Sequence, residues 1–218
     1  MDYDTQFLTT ICDKFYAEGI SSMDCSTQLL AGRPHGGLGI LWRKSLGEKC
    51  NIVDLDDTRL LGIEIAINNN DDEIKLLFVN IYMPFDCADN ADDFMQYLSR
   101  VNDIFETYPT PYVYVIGDLN ANVIVKNNQC SSKFGETLLK FCNDEDILVA
   151  DYDYLPKDSF TFTSSAHNTV SWLDHILTTG TGRDLIEHID VANNFISSDH
   201  LPISLLLNCE CFHVMEHN

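Results

Sequence analysis

Carboxylates, amides and imidazoles recur in three short clusters, each beside an apolar run. Gly117-Asp118-Leu119-Asn120-Ala121 follows the run at 112–116. Ser171-Trp172-Leu173-Asp174-His175-Ile176-Leu177 carries Asp174 inside an otherwise apolar strand. Ser197-Ser198-Asp199-His200-Leu201-Pro202 stands just before the run at 203–207, and Asn80-Ile81-Tyr82-Met83-Pro84 is a weaker fourth element. Read singly, each has an ordinary explanation. Asp-Leu-Asn after a strand suits a turn or a helix cap, and Asp-His-x-Pro suits a turn. Asp174 could pair with a lysine or cap a loop, His175 fits a packed or exposed strand histidine, and Tyr82 fits the core. Together they ask for more, because an unpartnered buried carboxylate costs several kcal/mol. Asp118, Asp174 and Asp199 at strand ends, beside Asn120 and His200, would be accounted for by a divalent cation and a phosphate. Hard oxygens hold Mg²⁺, and the metal neutralises charge growing on phosphorus. An Asp beside a water can orient or deprotonate it, and a His held by a second Asp can polarise the phosphate.

The surrounding pattern supplies elements to carry these groups. Phe7, Leu8, Ile11 and Phe15 predict a short helix over 5–18, and the polar, Gly/Pro-punctuated stretch 19–36 predicts a loop. Residues 37–42 read as a strand. Leu61, Ile63, Ile65 and Ile67 alternate with Leu60, Gly62, Glu64 and Ala66, predicting a strand with one face more firmly buried. With the apolar run at 75–83 it forms an antiparallel hairpin closed by a long polar loop, 68–73. Phe94, Leu98, Val101, Phe105 and Tyr108 make one apolar stripe on a helix over 90–108, capped by Asp89 or Asn90 and ended by Pro109 and Pro111. A strand follows at 112–116 and a helix at about 132–144, with Phe134, Leu138, Phe141 and Cys142 on one side. Further strands are expected at 160–162, 172–177 and 203–207. The order predicts a single α/β domain over 1–218 with mixed sheets rather than a βαβ repeat.

Charge narrows the function. The chain has 218 residues with 13 Lys+Arg against 34 Asp+Glu, a formal net charge of −21. A broad grip on nucleic acid or on an anionic membrane needs the opposite sign, so a phosphate site here must be local and metal-assisted. The carboxylate runs at Asp54, Asp56, Asp57, Asp71, Asp72 and Glu73, at Asp86, Asp89, Asp92 and Asp93, and at Asp144, Glu145, Asp146, Asp151, Asp153 and Asp158 read as solvated faces. Arg33, His35, Arg43 and Lys44 are the local cations available to a nucleic-acid strand, or ordinary loop residues. No apolar run approaches the roughly 18–20 residues of a membrane span, and the N-terminus lacks the basic and apolar regions of a secretory signal. The 8 cysteines form no Cys-x-x-Cys pair, and Cys209-x-Cys211 has no second pair to complete a zinc site. Reduced thiols in an intracellular protein, nuclear or cytoplasmic, are expected.

The four motifs, in this order, resemble those of the endonuclease/exonuclease/phosphatase superfamily. They are most similar to the apurinic-type endonuclease domain of non-LTR (LINE-type) retrotransposons, a likeness extended by Gly32-Arg33-Pro34-His35-Gly36-Gly37-Leu38-Gly39-Ile40-Leu41-Trp42 and by Phe134-Gly135-Glu136-Thr137-Leu138-Leu139-Lys140-Phe141-Cys142. It covers about residues 5–207. The resemblance implies a DNase I-like α/β fold: a four-layer sandwich of two mixed β-sheets flanked by helices. It implies metal-dependent cleavage of DNA phosphodiesters, with Mg²⁺ or Mn²⁺ as cofactor. Carried over by position, Asp118 resembles the residue that activates or aligns the attacking water and also touches the metal. Asn120 and Tyr82 resemble phosphate contacts, as does Ser171. His200 resembles the phosphate-contacting histidine paired with Asp174, and Asp199 the carboxylate of the metal region. The family's first strands, ending in an Asn and a metal-binding Glu, precede the matching segment; neither Glu18 nor Asp24 replaces them, and no reverse transcriptase follows. Weak metal binding and weak or absent activity are therefore expected, with a non-catalytic domesticated or pseudogene-derived binding protein as the alternative. An inositol-phosphate-type phosphatase is a second alternative. Those enzymes continue Gly-Asp-Leu-Asn with Tyr-Arg where this chain has Ala121-Asn122, and carry Trp-Cys-Asp-Arg where it has Trp172-Leu173-Asp174-His175.

Overall fold

The computed structural model describes residues 8, 10, 12–21, 37–69, 72–126, 129–130, 132–193 and 198–209. Arg33, His35, Ser197 and most of the expected 19–36 loop lie outside the described residues. The chain divides into two compact units, Met1–Tyr82 and Met83–Asn218.

In the first unit, β1 (Phe15–Ile20) pairs antiparallel with β2 (Leu38–Arg43) from Phe15↔Arg43 to Ile20↔Leu38. This corrects the helix expected over 5–18, at least across 15–18. Phe15, Tyr16 and Ile20 are strand-favouring residues, and the Tyr16 ring meets Trp42 across the ladder at 5.8 Å. Pairing with a distant segment, from Phe15 with Arg43 to Ile20 with Leu38, overrides the local spacing. A 3-10 turn, Lys44–Lys49, leads to β3 (Cys50–Val53), β4 (Leu60–Asn69) and β5 (Asp72–Tyr82), ordered β3-β4-β5. The β4–β5 hairpin is as expected, but its connection is short rather than long, since pairing runs on to Asn69↔Asp72. Ladder bonds use backbone groups, so polar side chains do not stop them. The alternation in β4 also misleads at its start, where Leu60, Leu61, Ile63 and even Glu64 are all buried. The Glu64 carboxylate accepts from Lys75 on β5 at 2.9 Å. Asn80 donates its side-chain amide to the Gly39 carbonyl at 3.1 Å, tying β5 to β2. At the end of β5, the Tyr82 N–H donates to Arg59 O, and the Arg59 guanidinium returns a bond to the Tyr82 carbonyl and covers its ring.

The second unit begins with a 3-10 turn (Ala88–Asn90) and helix α1 (Ala91–Thr107), whose buried stripe is Phe94, Leu98, Val101 and Ile104. Ile104 takes the buried position expected of Phe105, which is only half-buried. Strand β6 (Val113–Asp118) follows, with a small ribbon of β7 (Val125–Lys126) and β8 (Gln129–Cys130). Helix α2 (Lys133–Asp144) starts where Ser132 caps it, its hydroxyl accepting from the Gly135 N–H at 3.0 Å. Phe134 on α2 stacks on Phe94 of α1 at 4.0 Å. Then come β9 (Leu148–Val149), the short helix α3 (Ala150–Tyr154), and the ribbon β10 (Phe162–Ser164) with β11 (Thr169–Ser171). Strand β12 (Asp174–Thr178) lies between β6 and β9, antiparallel to both. After the single turn α4 (Gly180–Arg183), β13 (Ile186–Val191) pairs with β14 (Ile203–Leu207). β13 was not expected. A register shift between Ile186 and His188 breaks its alternation, so Ile186, Ile189 and Val191 are the buried positions.

Candidate active site

β6 ends where β12 begins. In their antiparallel register Asp118 stands directly across from Asp174, with His175 across from Gly117. Val113, Tyr114, Val115, Ile116, Ile176 and Leu177 fill the apolar bodies of the two strands, and the fully buried ones among them fix the register. A one-residue slip would turn every side chain to the wrong face.

The third component arrives from 198–201. Thr163 N–H donates to Asp199 O at 2.8 Å, Leu201 N–H donates to Thr161 O at 2.7 Å, and Phe162 bridges His200. The segment thus lies along the start of β10, with the His200 ring against Phe162 at 4.9 Å. The hydroxyl oxygen of fully buried Thr161 accepts the N–H groups of both Leu173 and Asp174, each at 3.0 Å. Thr161 therefore binds both segments that carry the acid–imidazole pair, the start of β12 and residues 198–201. Nothing in its sequence neighbourhood marked it.

His200 Nδ1 is 2.9 Å from Asp174 Oδ2, which turns Nε2 toward Asp118 Oδ2, 3.9 Å away. Asp118 Oδ1 accepts the Asn120 N–H at 2.9 Å, and Oδ2 receives the Asn120 amide at 3.3 Å. That amide also donates to Met83 O at 2.9 Å, while Met83 N–H donates to Asp118 O at 2.8 Å. Asn120 holds this position with φ 50°, the left-handed region that Asn tolerates better than most residues.

The charges are out of balance. Burial and the facing Asp174 push the Asp118 carboxyl up to about 6, against the opposing pull of the Asn120 N–H and of the two histidines. The hydrogen bond to Asp174 raises His200 above the usual histidine range, over a smaller effect of burial. Asp118, Asn120, Asp174 and His200 thus converge. Asp199 is exposed and acts on His200 through its charge. Ser171 ends β11, and its carbonyl takes the Thr161 N–H. Tyr82 belongs to the first unit. Among the described residues no group of three His, Cys, Asp or Glu side chains is gathered to hold a metal. Mg²⁺ sites nevertheless use one or two carboxylates plus water and substrate phosphate, and a buried carboxylate repelled by its neighbour suits a cation.

One acidic residue departs from expectation. Asp151, read as part of a solvated run, is fully buried and bound to His175. The apolar stretch Ile147-Leu148-Val149-Ala150 just before it was the available signal.

Solved structures of the endonuclease/exonuclease/phosphatase class, with the DNase I-like fold, superpose on this chain. The endonuclease domain of TRAS1, a telomere-specific non-LTR retrotransposon, does so with a TM-score of 0.62 at 14% identity, covering 89% of this chain and 80% of its own. The AP endonuclease LMAP from Leishmania major gives 0.71 at 11% identity, covering 92% and 73%. The 3' phosphatase NExo from Neisseria, bound to a product DNA hairpin, gives 0.65 at 12% identity, covering 95% and 85%. At such identities the likeness carries the fold. The sequence carries the family: the profile of the endonuclease-reverse transcriptase family matches residues 76–204, more than half of the chain, and the chain belongs to that family. It is a nuclease-type domain of a retrotransposon endonuclease lineage, as the motifs predicted.

Proposed function

We propose that this domain cleaves DNA phosphodiesters, with a divalent cation, by in-line attack of water on phosphorus. The observation that carries the reading is the convergence of Asp118, Asn120, Asp174 and His200 at adjoining strand ends. Asp118 and Asp199 would hold Mg²⁺ or Mn²⁺, and the ion would supply positive charge to the phosphate as negative charge grows on it. Asp118 orients the water and accepts its proton. His200, whose charged form the Asp174 hydrogen bond favours, would donate from Nε2 to a phosphate oxygen. Asn120 and Ser171 add neutral donors to the phosphate, the latter on the strength of the family resemblance. The substrate contact is local, as a chain of net charge −21 requires, and a nuclear or cytoplasmic place of action is part of this reading. No helix among the described residues is long and apolar enough to cross a membrane.

Nicking of supercoiled plasmid in Mg²⁺, with an EDTA control, tests this reading. Low turnover that falls on the order of 100-fold in Asp118→Ala and in His200→Ala is expected. Nicking that persists in EDTA, or that survives both substitutions, contradicts it. Calorimetry showing no Mg²⁺ binding at millimolar concentration would favour a non-catalytic binding protein.

A further inference from the structure

His175 follows Asp174 on β12, and its ring is fully buried. Nδ1 lies 2.8 Å from Oδ2 of Asp151 on α3, also fully buried, and Nε2 lies 2.9 Å from the carbonyl oxygen of Ala121. A carbonyl can only accept, so Nε2 carries a hydrogen. Asp151 Oδ1 already takes the Ile176 N–H at 2.7 Å. A carboxylate accepting at both oxygens is favoured in its ionised form, which leaves Nδ1 as a donor too. Neutral imidazole has one N–H, whereas this position uses two. Burial opposes a charge there; Asp151, the Ala121 carbonyl and Asp174 outweigh it and raise His175 above its usual range. The Trp172 indole lies along the ring at 6.2 Å, near-parallel.

What the ring holds matters for the neighbouring site. Ala121 closes the turn Asp118-Leu119-Asn120-Ala121, in which Leu119 and Ala121 are fully buried and Asn120 is left-handed. Such a backbone persists only when its surroundings over-determine it. Leu119 N–H is held by Leu173 O, the Asn120 amide by Met83 O, and the Ala121 carbonyl by His175. We infer that His175 is a buried imidazolium, ion-paired to Asp151, and that it positions the Asp118–Asn120 turn by donating its Nε2 hydrogen to Ala121. The positioning role rests on the nuclease reading; the charge state stands without it.

The full chain labelled with ¹⁵N-histidine, at pH 8, decides the charge state. Free histidine, titrating at about 6.5, is neutral there, while His175 is expected to show two protonated ring nitrogens. A bare Nδ1 signal would put the proton on Asp151 and overturn the inference, and this measurement needs no variant. His175→Gln keeps a donor for Ala121 without the charge, and Asp151→Asn removes the carboxylate should the first variant not fold. Either is expected to shift backbone amide signals of 119–122 selectively. Either should also lower kcat for Mg²⁺-supported nicking by roughly ten-fold or more, with KM within about two-fold. Unmoved amide signals at 119–122, or a kcat equal to wild type, would reduce His175 to a packing residue. If the wild-type chain does not nick at all, the nuclease reading falls while the ring nitrogens and the amide shifts still decide this inference.

Discussion

Asp118→Asn is expected to make the protein more stable at neutral and alkaline pH while removing its proposed activity. The Asp118 carboxylate is only 18% exposed and stands opposite Asp174. Its titration is pushed up to about 6 from an ordinary value of 3.8. Below about pH 4 the group is protonated in the folded and the unfolded chain, and nothing is lost. Between about pH 4 and 6 the unfolded chain releases the proton while the folded one keeps it, so stability falls as pH rises. Above about 6 the loss is complete, and at about 1.36 kcal/mol per pH unit it amounts to about 3 kcal/mol. The substitution removes this cost. It retains an oxygen for the Asn120 N–H but forfeits the attraction to His200 and one acceptor, so a net gain of about 1–2 kcal/mol at pH 8 is expected, shrinking toward zero near pH 4. Urea unfolding in EDTA at both pH values, with unchanged denaturant slope, measures it. A variant that is less stable at pH 8, or whose difference from wild type does not depend on pH, would refute the account of a carboxylate held at electrostatic cost. Millimolar Mg²⁺ should then stabilise the wild type and leave the variant unmoved, because a ligand stabilises only the form that binds it.

Asp174→Asn should lower the His200 titration midpoint, since the Asp174 hydrogen bond is the main cause of its elevation; NMR titration reads this, and an unchanged midpoint would break the pairing argument. In the wild type that elevated histidine adds stability below its unfolded-state midpoint, which is lost as pH rises through the folded one. Thr161→Val leaves the Leu173 and Asp174 N–H groups without their buried acceptor and should cost about 1–3 kcal/mol in urea unfolding. A cost near zero would mean another acceptor replaces it. Ser132→Ala removes the α2 cap and the acceptor for Asn122 N–H, so a loss of about 1 kcal/mol is expected, visible as a lower Tm.

The legible parts of this protein were those where local chemistry and tertiary packing agree. The stripe Phe94, Leu98 and Val101 marks α1 because one apolar face of a 3.6-residue period has only one way to be buried. The long apolar run of β5 and the alternating β4 marked the hairpin. β1 was misread because Phe15 has helical spacing to residues before it, while its partner Arg43 lies far along the chain. β13 escaped because a bulge breaks its period.

The candidate site divides in the same way. The order of the four motifs carried the resemblance to the family, and the pairing of His200 with Asp174 came with that resemblance rather than from the residue types. Only the folded chain decided which acids face one another. Asp118 and Asp174 are 56 positions apart, yet register makes them direct neighbours, and their mutual repulsion exists only in that register. The burial of Asp151 against His175, and the double acceptor at Thr161, were equally invisible in sequence, where Asp151 is one of several acids and Thr161 one of several threonines. Burial and hydrogen-bond partnership belong to pairs of distant residues, and a linear pattern specifies such pairs only once the strands have met.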